Sequence, residues 1–434
     1  MTNRSREQLS FPGCKGRRVE AEFSGGNVTS DAGILLVRQA DLFLDLTASI
    51  ARLLEDPRRQ ASCDHSQLSM LRQRVYGLAL GYGDLNDHDN LRHDLAWQGE
   101  RDKPAASSPT LCRLESRADR EIAVAMHQVL VNQFIASFAE PPTELILDFD
   151  ATDDPVHGNQ EGRFFHGYYD HYCFLPLYVT CRDQLLAAYL RASNIDGAKH
   201  AWAIPALLVK RLRQEWPQVR ILFRGDSGFC RWRMLAWCDR HGVGYIVGLA
   251  KNKRINEMAA PLIEKARKRF EATGRKQRLF GNPRYGAHTW DRPRRVIARI
   301  EHTSKGSNPR YVVTNLPGNS RKLYERIYCA RGEMENRIKA QLQLFSDRTS
   351  AHRWWPNQFR LLLSALAYTL LEAIRRLGLK GTELARAQVA TIRLKLLKIG
   401  AVIVRNTRRV RFLLSSAHPY RHLFWLVAAR LKPG

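Results

Sequence analysis

The sequence predicts a mixed α/β protein: a sheet with covering helices, entered through a helical N-terminal segment. Three observations predict it. Two short apolar runs, TELILDFDAT (143–152) and VRILFRGDSGF (219–229), have the length and β-rich character of buried strands, and each meets carboxylates at its end. Strand-like and helical runs follow one another between residues 143 and 250 in the order β-β-β-α-β-α-β. Finally, Tyr328–Phe345 reads YCARGEMENRIKAQLQLF and is dominated by good helix formers, with Gly332 its weak point at a cost of about 1 kcal/mol against Ala.

Composition narrows the class. At 434 residues the chain has room for two or three domains, and 44% hydrophobic content excludes wholesale disorder. The charge is unusual: 69 Lys and Arg against 42 Asp and Glu give +27 and a pI near 10.2. Such an excess points to a polyanionic partner, most plausibly nucleic acid. The eight Cys are scattered without CxxC or a Cys/His zinc spacing and read as reduced thiols. MTNRSREQLS carries no apolar signal core, and the longest apolar run, Leu361–Ile374, is too short and too polar to span a bilayer. A cytoplasmic protein with no membrane association is expected.

The elements follow in order. Residues 1–20 are polar and expected to be flexible. Ser30 or Asp31 could cap a helix before Ile34–Val37, and Leu71–Leu80 is a second helical run. GYGDLNDHDNLRHD offers Asp84, Asp87, His88, Asp89, His93 and Asp94, but their spacing fits turns and caps better than a metal loop. SSPTLCRLES (107–116) enters a short basic helix. These define a helical N-terminal domain, residues 1–140, able to bind DNA. Ala139-Glu140-Pro141-Pro142 marks a boundary.

The core is expected in two parts, 141–250 and 321–380. CFLPLYVTC (173–181) and QLLAAYLRAS (184–193) read as antiparallel strands. Ala201–Trp216 and Arg231–His241 read as helices, and Gly244–Ala250 as a further strand. Residues 251–320 hold seventeen Lys and Arg against five Asp and Glu, a net +12, with strand-like pieces at 294–301 and 310–316. They read as a basic β-rich insertion. Helical runs are expected at 357–376 and 383–399. Residues 384–434 hold eleven Lys and Arg and no acid, and 381–434 is set apart as a basic C-terminal region.

The chemistry lies in three carboxylates. Asp150 and Asp226 stand at the carboxyl ends of buried strands, where open α/β sheets place ligands. Glu335 sits on a later helix. Helical spacing puts Arg331 beside Glu335, Lys339 one turn on and Tyr328 two turns back, while Ile327, Met334, Ile338 and Phe345 form an apolar stripe. An amphipathic helix with a few salt bridges reads the same way. Glu333 falls near the opposite face from Glu335. Three converging carboxylates make an oxygen-rich site for two Mg²⁺ or Mn²⁺ ions, suited to in-line phosphodiester displacement.

The segments LDFDAT, RGDSGF and YCARGEMENRIK resemble the DDE transposases of bacterial insertion sequences. NDHDNLRHD, HGYYDHYCFLPLY, WWPNQFRLLLSALAY and LKLLKIGAVIV extend the resemblance from about residue 28 over most of the chain. The family pattern runs Tyr, two residues, Arg, three residues, Glu, six residues, Lys. Tyr328, Arg331 and Glu335 fit; Leu342 stands where Lys belongs, and Lys339 could replace it. The resemblance implies an RNase H-like catalytic domain, a five-stranded mixed sheet with flanking helices and a β-strand insertion before the Glu335 helix. It implies Asp150, Asp226 and Glu335 as catalytic residues and metal ligands. Asp148 is the rival for the first position, but the family aspartate precedes a small residue and then Thr or Ser, which favours Asp150. It implies that Tyr328 and Arg331 contact DNA; a helix salt bridge and a core-edge aromatic are the alternatives. Lys339, Lys251, Lys253 and Arg254 are further DNA-binding candidates. Trp290 could stack on a base or pack in the core. The implied activity is cleavage of mobile-element ends and transfer of the 3′-hydroxyl into target DNA. The implied partners are double-stranded DNA, in terminal inverted repeats and target, and a second copy of the chain in the DNA complex. An RNase H-like nuclease without strand transfer and a domesticated DNA-binding protein are the other readings.

Overall fold

The structure is a computed structural model that describes residues 9–98, 103–194 and 203–432. The polar start at residues 1–8 and the first two residues of the helix expected at Ala201 lie outside the described residues. The chain divides into two compact units, Met1–Arg117 with Leu366–Gly434, and Ala118–Ala365.

The second unit is built on one large mixed sheet. Its centre has five strands in the order Gln184–Tyr189, Leu177–Cys181, Glu144–Ala151, Arg220–Gly225 and Gly244–Leu249. The last three run parallel and the first two antiparallel to their neighbours. This is the expected five-stranded mixed sheet. The sheet does not stop there. Gly306–Thr314 pairs antiparallel with Gly244–Leu249, and Arg294–Thr303 and Gln277–Gly281 continue outward, giving nine strands with the short Arg284–Tyr285. The basic insertion is therefore annexed to the sheet edge. It opens with a long helix, Lys253–Thr273, which packs Ile255, Ala259 and Ala266 into the same core.

The sequence boundary at 139–142 falls inside this unit, because the helix Arg120–Ala136 buries Val131 and Phe134 against Leu145, Leu147 and Leu186 of the sheet. The expected strand 173–181 is two strands. His171–Phe174 joins a small separate sheet and Leu177–Cys181 the large one. Pro176, which lacks an N–H for the ladder, stands at the break.

The expected helix at 328–345 begins earlier and is irregular. Ser320–Lys322 is followed by a wide π-type turn, Leu323–Tyr328, then a tight 3₁₀ turn, Cys329–Gly332, then regular α-helix over Glu333–Leu342. Regular helix resumes one residue after Gly332, the residue least able to hold it. Met334 and Ile338 are buried as the apolar stripe requires, and the Thr180 hydroxyl lies 3.0 Å from the Met334 sulfur, fixing helix to sheet.

In the first unit, helices Ile34–Leu44, Leu46–Leu53 and Gln67–Leu80 are joined by C-terminal elements. The strand Val28–Thr29 pairs with Ala401–Arg405 of a C-terminal hairpin, and Lys398 Nζ donates to buried Asp31 at 2.7 Å. The expected flexible start is instead, from Leu9, a hairpin of Leu9–Cys14 with Arg17–Ala21. It turns on Lys15 and Gly16, both at positive φ. The 357–376 run is the helix Trp354–Ala373, which starts in the second unit and ends in the first, with a π-type turn after it. The 383–399 run is helical only over Val389–Leu397. Of the Asp/His loop, Asp87 Oδ2 accepts from the Asp84 amide and Asp89 Oδ1 from the Ser108 amide, so both carboxylates are engaged by backbone. Among the described residues no helix is long and apolar enough to cross a membrane.

Candidate active site

The sheet register brings two aspartates level. Phe149 pairs with Gly225 across parallel strands, so the next residue along each strand direction, Asp150 and Asp226, stands at the same end of the sheet. Asp150 is still in its strand, opposite Tyr178. Asp226 has left its strand and caps the short turn Ser227–Phe229, its Oδ1 accepting from the Gly228 amide at 2.8 Å. The helix carrying Glu335 docks on the strand Leu177–Cys181 through Thr180 and Met334.

Arg331 Nη1 donates to Asp150 Oδ2 at 3.0 Å. Burial raises the Asp150 carboxyl; Arg331 opposes this, while the nearby charges of Asp226 and Glu335 add to it, and the pKa stands at about 6. Burial works against the Arg331 charge, yet Asp150, Tyr328, Asp226 and Glu335 around it hold the guanidinium above its ordinary value. The predicted acids and the predicted Arg thus occupy one neighbourhood. Glu335 itself is exposed, and Glu333 points elsewhere, paired with Arg337.

Asp148 lies on the same strand but in different company. It is buried and faces Arg224 across the parallel pair. Arg224 embraces it with both Nε and Nη2, the latter at 2.6 Å. The same guanidinium donates to the Ile327 carbonyl, so it ties both aspartate-bearing strands to the helix that carries Tyr328 and Arg331. The sequence reading passed over Arg224, although RGD places it two residues before Asp226.

Gly248 was also passed over. It lies on the strand Gly244–Leu249, and a Cβ there would sit 2.7 Å from the Tyr328 hydroxyl and 2.8 Å from the Ser227 amide nitrogen. Only Gly lets the Asp226 turn and Tyr328 approach that strand together. A glycine inside a strand pattern signals such close approach and was available in the sequence. Tyr328 is half-buried, beside Tyr324 with ring centroids 5.4 Å apart, and burial pushes its phenol up to about 12.

The remaining candidates are dispersed. Lys339 is exposed on the Glu335 helix, and Leu342 at the family's lysine position is 37% exposed. Lys251, Lys253 and Arg254 are exposed at the start of the insertion helix; Lys251 reaches Asn308 and Arg254 lies over the Tyr285 ring. Trp290 is partly buried at the core's edge, edge-on to Tyr285 at 5.5 Å and under the Arg294 guanidinium.

The donor set suits a hard divalent cation: three carboxylates from three elements, with a guanidinium drawn into the negative field they create. Among the described residues, no group of three or more His, Cys, Asp or Glu side chains stands close enough together to hold a metal ion.

No curated protein matches this chain. Among solved structures, the cryo-EM structure of the piggyBac transposase synaptic complex with hairpin DNA is similar at 12% identity, over 83% of this chain and 80% of that chain, with a TM-score of 0.46. A family profile described as transposase DDE domain group 1 matches residues 11–433, nearly the whole length. The chain belongs to the DDE transposase family, enzymes that cut DNA strands and transfer them in DNA transposition.

Proposed function

We propose that Asp150, Asp226 and Glu335 are the catalytic carboxylates and hold divalent metal while the chain cuts the ends of its own mobile element. The observation that carries this is the shared field at Asp150: buried, raised by Asp226 and Glu335, and offset by the Arg331 guanidinium at 3.0 Å. Mg²⁺ or Mn²⁺, two ions in the full site, would supply Lewis-acid activation of the attacking oxygen and neutralise charge on the leaving oxygen.

The chain's own residues do the rest. Asp226 is oriented by the Gly228 amide and Asp150 by the Ala151 amide at 3.0 Å, so both carboxylates are held in place before substrate arrives. Arg331 carries a fork that suits a phosphate, and moving it from Asp150 onto the scissile phosphate would free the carboxylate while holding the substrate. Tyr328 bounds the site beside the Asp226 turn. The 3′-hydroxyl freed by cleavage then attacks a phosphodiester of target DNA, with bond making and breaking in line.

Asp148 is read as structural, since Arg224 already occupies its carboxylate. The substrates are the element's terminal inverted repeats and a target duplex, and two copies of the chain pair the two ends. Lys251, Lys253 and Arg254 stand at a helix N-terminus, where cations are unfavourable for the helix dipole; phosphate beside them would remove that repulsion. Asp150→Ala, Asp226→Ala and Glu335→Ala should each abolish cleavage and joining and leave end binding intact. An active Asp150→Ala enzyme would remove this assignment.

A further inference from the structure

A small three-stranded sheet follows directly on Asp150. Asp154–Pro155 pairs with His171–Phe174, which pairs with Phe164–His166. Its base is fixed. Cys173 and Phe174 are buried, Phe174 meets Trp354 edge-on at 5.6 Å, the Thr349 hydroxyl donates to buried Asp154 at 2.7 Å, and the Ser193 hydroxyl donates to the Phe164 carbonyl at 2.8 Å. Gly162 lets the chain pass against the Trp354 ring, 2.6 Å from where a Cβ would stand.

Its tip is the opposite. Phe165 is 53% exposed, Tyr172 47% and Tyr168 85%. The turn Gly167–Asp170 is closed by the Asp170 amide donating to the His166 carbonyl at 2.8 Å, so the aromatic rings stand on a fixed frame. Phe165 and Tyr172 contact each other edge-on, Tyr168 and Tyr169 likewise at 5.0 Å, and the Arg163 guanidinium lies 4.5 Å over the Tyr172 ring. Exposing this much aromatic surface costs solvation, and nothing in the core needs it.

We propose that this aromatic tip is a stacking platform for unpaired nucleobases at the DNA end being processed beside Asp150; this rests on the reading of that site given above. Three observations favour bases over a protein partner. The exposed rings meet one another only edge-on and the Arg163 guanidinium lies over the Tyr172 face, a combination of aromatic surface and arginine that suits sequence-tolerant base stacking. The chain carries +27, which suits a polyanion. And the sheet that carries the tip begins just after Asp150 in the chain, where Asp154 pairs with Phe174 and Asp153 lies 2.9 Å from His171 Nε2. Where pairs at the scissile position open, an exposed aromatic pair beside it would hold the freed bases by stacking.

The test uses the full chain in EDTA, so that nothing is cut. The probes are a blunt duplex and the same duplex with a short single-stranded overhang containing 2-aminopurine. The wild-type chain should prefer the overhang probe and quench its fluorescence. Tyr168→Ala with Tyr172→Ala should lose that preference by about 5- to 150-fold per stacked base while leaving blunt-duplex affinity unchanged. Tyr168→Phe, which keeps the ring, should retain it. Equal affinity of the wild type for both probes would overturn the inference and leave the catalytic assignment standing. So would a double variant unchanged toward both, and if that variant also shifted sedimentation, the tip would be a protein-docking surface. Failure of the wild type to bind either probe would overturn the DNA-cutting reading of the site, and this inference with it.

Discussion

Arg224 and Asp148 face each other across parallel strands, and the arginine reaches on to the Ile327 carbonyl. This one guanidinium separates the two aspartates of LDFDAT into different roles. Asp148 is held in a buried pair, and removing one partner of such a pair costs about 3–5 kcal/mol. Asp148→Ala and Arg224→Ala should therefore lower unfolding stability by that order in urea titrations. Asp150 pairs instead with Arg331, which is more exposed than Arg224, and its variant should keep the fold and lose turnover. A stable Asp148→Ala protein without activity, beside an active Asp150→Ala protein, would exchange their roles.

Gly248 gives a second expectation. Its missing side chain is the space into which the Tyr328 hydroxyl and the Ser227 amide fit, at 2.7 and 2.8 Å from a virtual Cβ. Gly248→Ala must push the Asp226 turn, and displacement of a catalytic group by about 1 Å can cost roughly 100-fold in rate. Single-turnover cleavage should fall by that order, with duplex affinity little changed. Adding Tyr328→Phe removes the hydroxyl but not the backbone clash, so it should not restore the rate. Recovery in the double variant would place the whole effect on Tyr328.

The pH dependence of the first unit follows from His88. It is fully buried, with Arg74 Nη1 3.0 Å from its Nε2, and burial together with the Arg74 charge depresses its pKa to about 3. In the unfolded chain it titrates near 6.5. Between those values the unfolded chain binds more protons, so stability rises with pH up to about 6.5 and is lost below it. At pH 5 the loss from this group is about 2 kcal/mol relative to pH 7. His88→Gln should flatten the fall in melting temperature between pH 7 and 5. An equally steep fall in the variant would assign the acid sensitivity to other groups.

How much of this was legible follows from which signals are local. The runs ending at Asp150 and Asp226 are short, apolar and β-rich, and their strand state needs only neighbouring residues. The stripe of Met334 and Ile338 likewise foretold which side of the Glu335 helix is buried. Sheet-edge pairing is not local: nothing in 294–314 states that it will extend the strand Gly244–Leu249 instead of folding apart. The return of the C-terminal strand Ala401–Arg405 to pair with Val28–Thr29 is hidden for the same reason. Pro176 and Gly248 are different, because both carried a readable signal that the apolar pattern around them masked. The turn irregularity before Gly332 is intermediate: the weak residue was visible, but the π-type turn depends on how Leu323 and Tyr324 pack against Leu222 and Ile246.

The last expectation concerns where the duplex lies. Residues 251–320 carry a net +12, and Lys251, Lys253 and Arg254 are exposed at one end of that segment's helix. Each phosphate neutralised by such a cation releases counterions, so log affinity falls with log salt at a slope of about −0.9 per contact. Replacing all three with Gln should flatten the slope by up to about 3 units and weaken element-end and random duplexes alike, since phosphate contacts carry little sequence information. Arg331 should behave otherwise. Its guanidinium rests on Asp150 at 3.0 Å, and on the proposed reading it would hold the phosphate that reacts and not the flanking backbone. Arg331→Ala should lower the single-turnover rate at saturating DNA while leaving the slope within one contact of wild type. The measurement is a salt titration on both duplexes, with cleavage run alongside. An unchanged slope in the triple variant would move the DNA path to the basic residues 384–434. Lost affinity at an undiminished rate would make Arg331 an ordinary backbone contact.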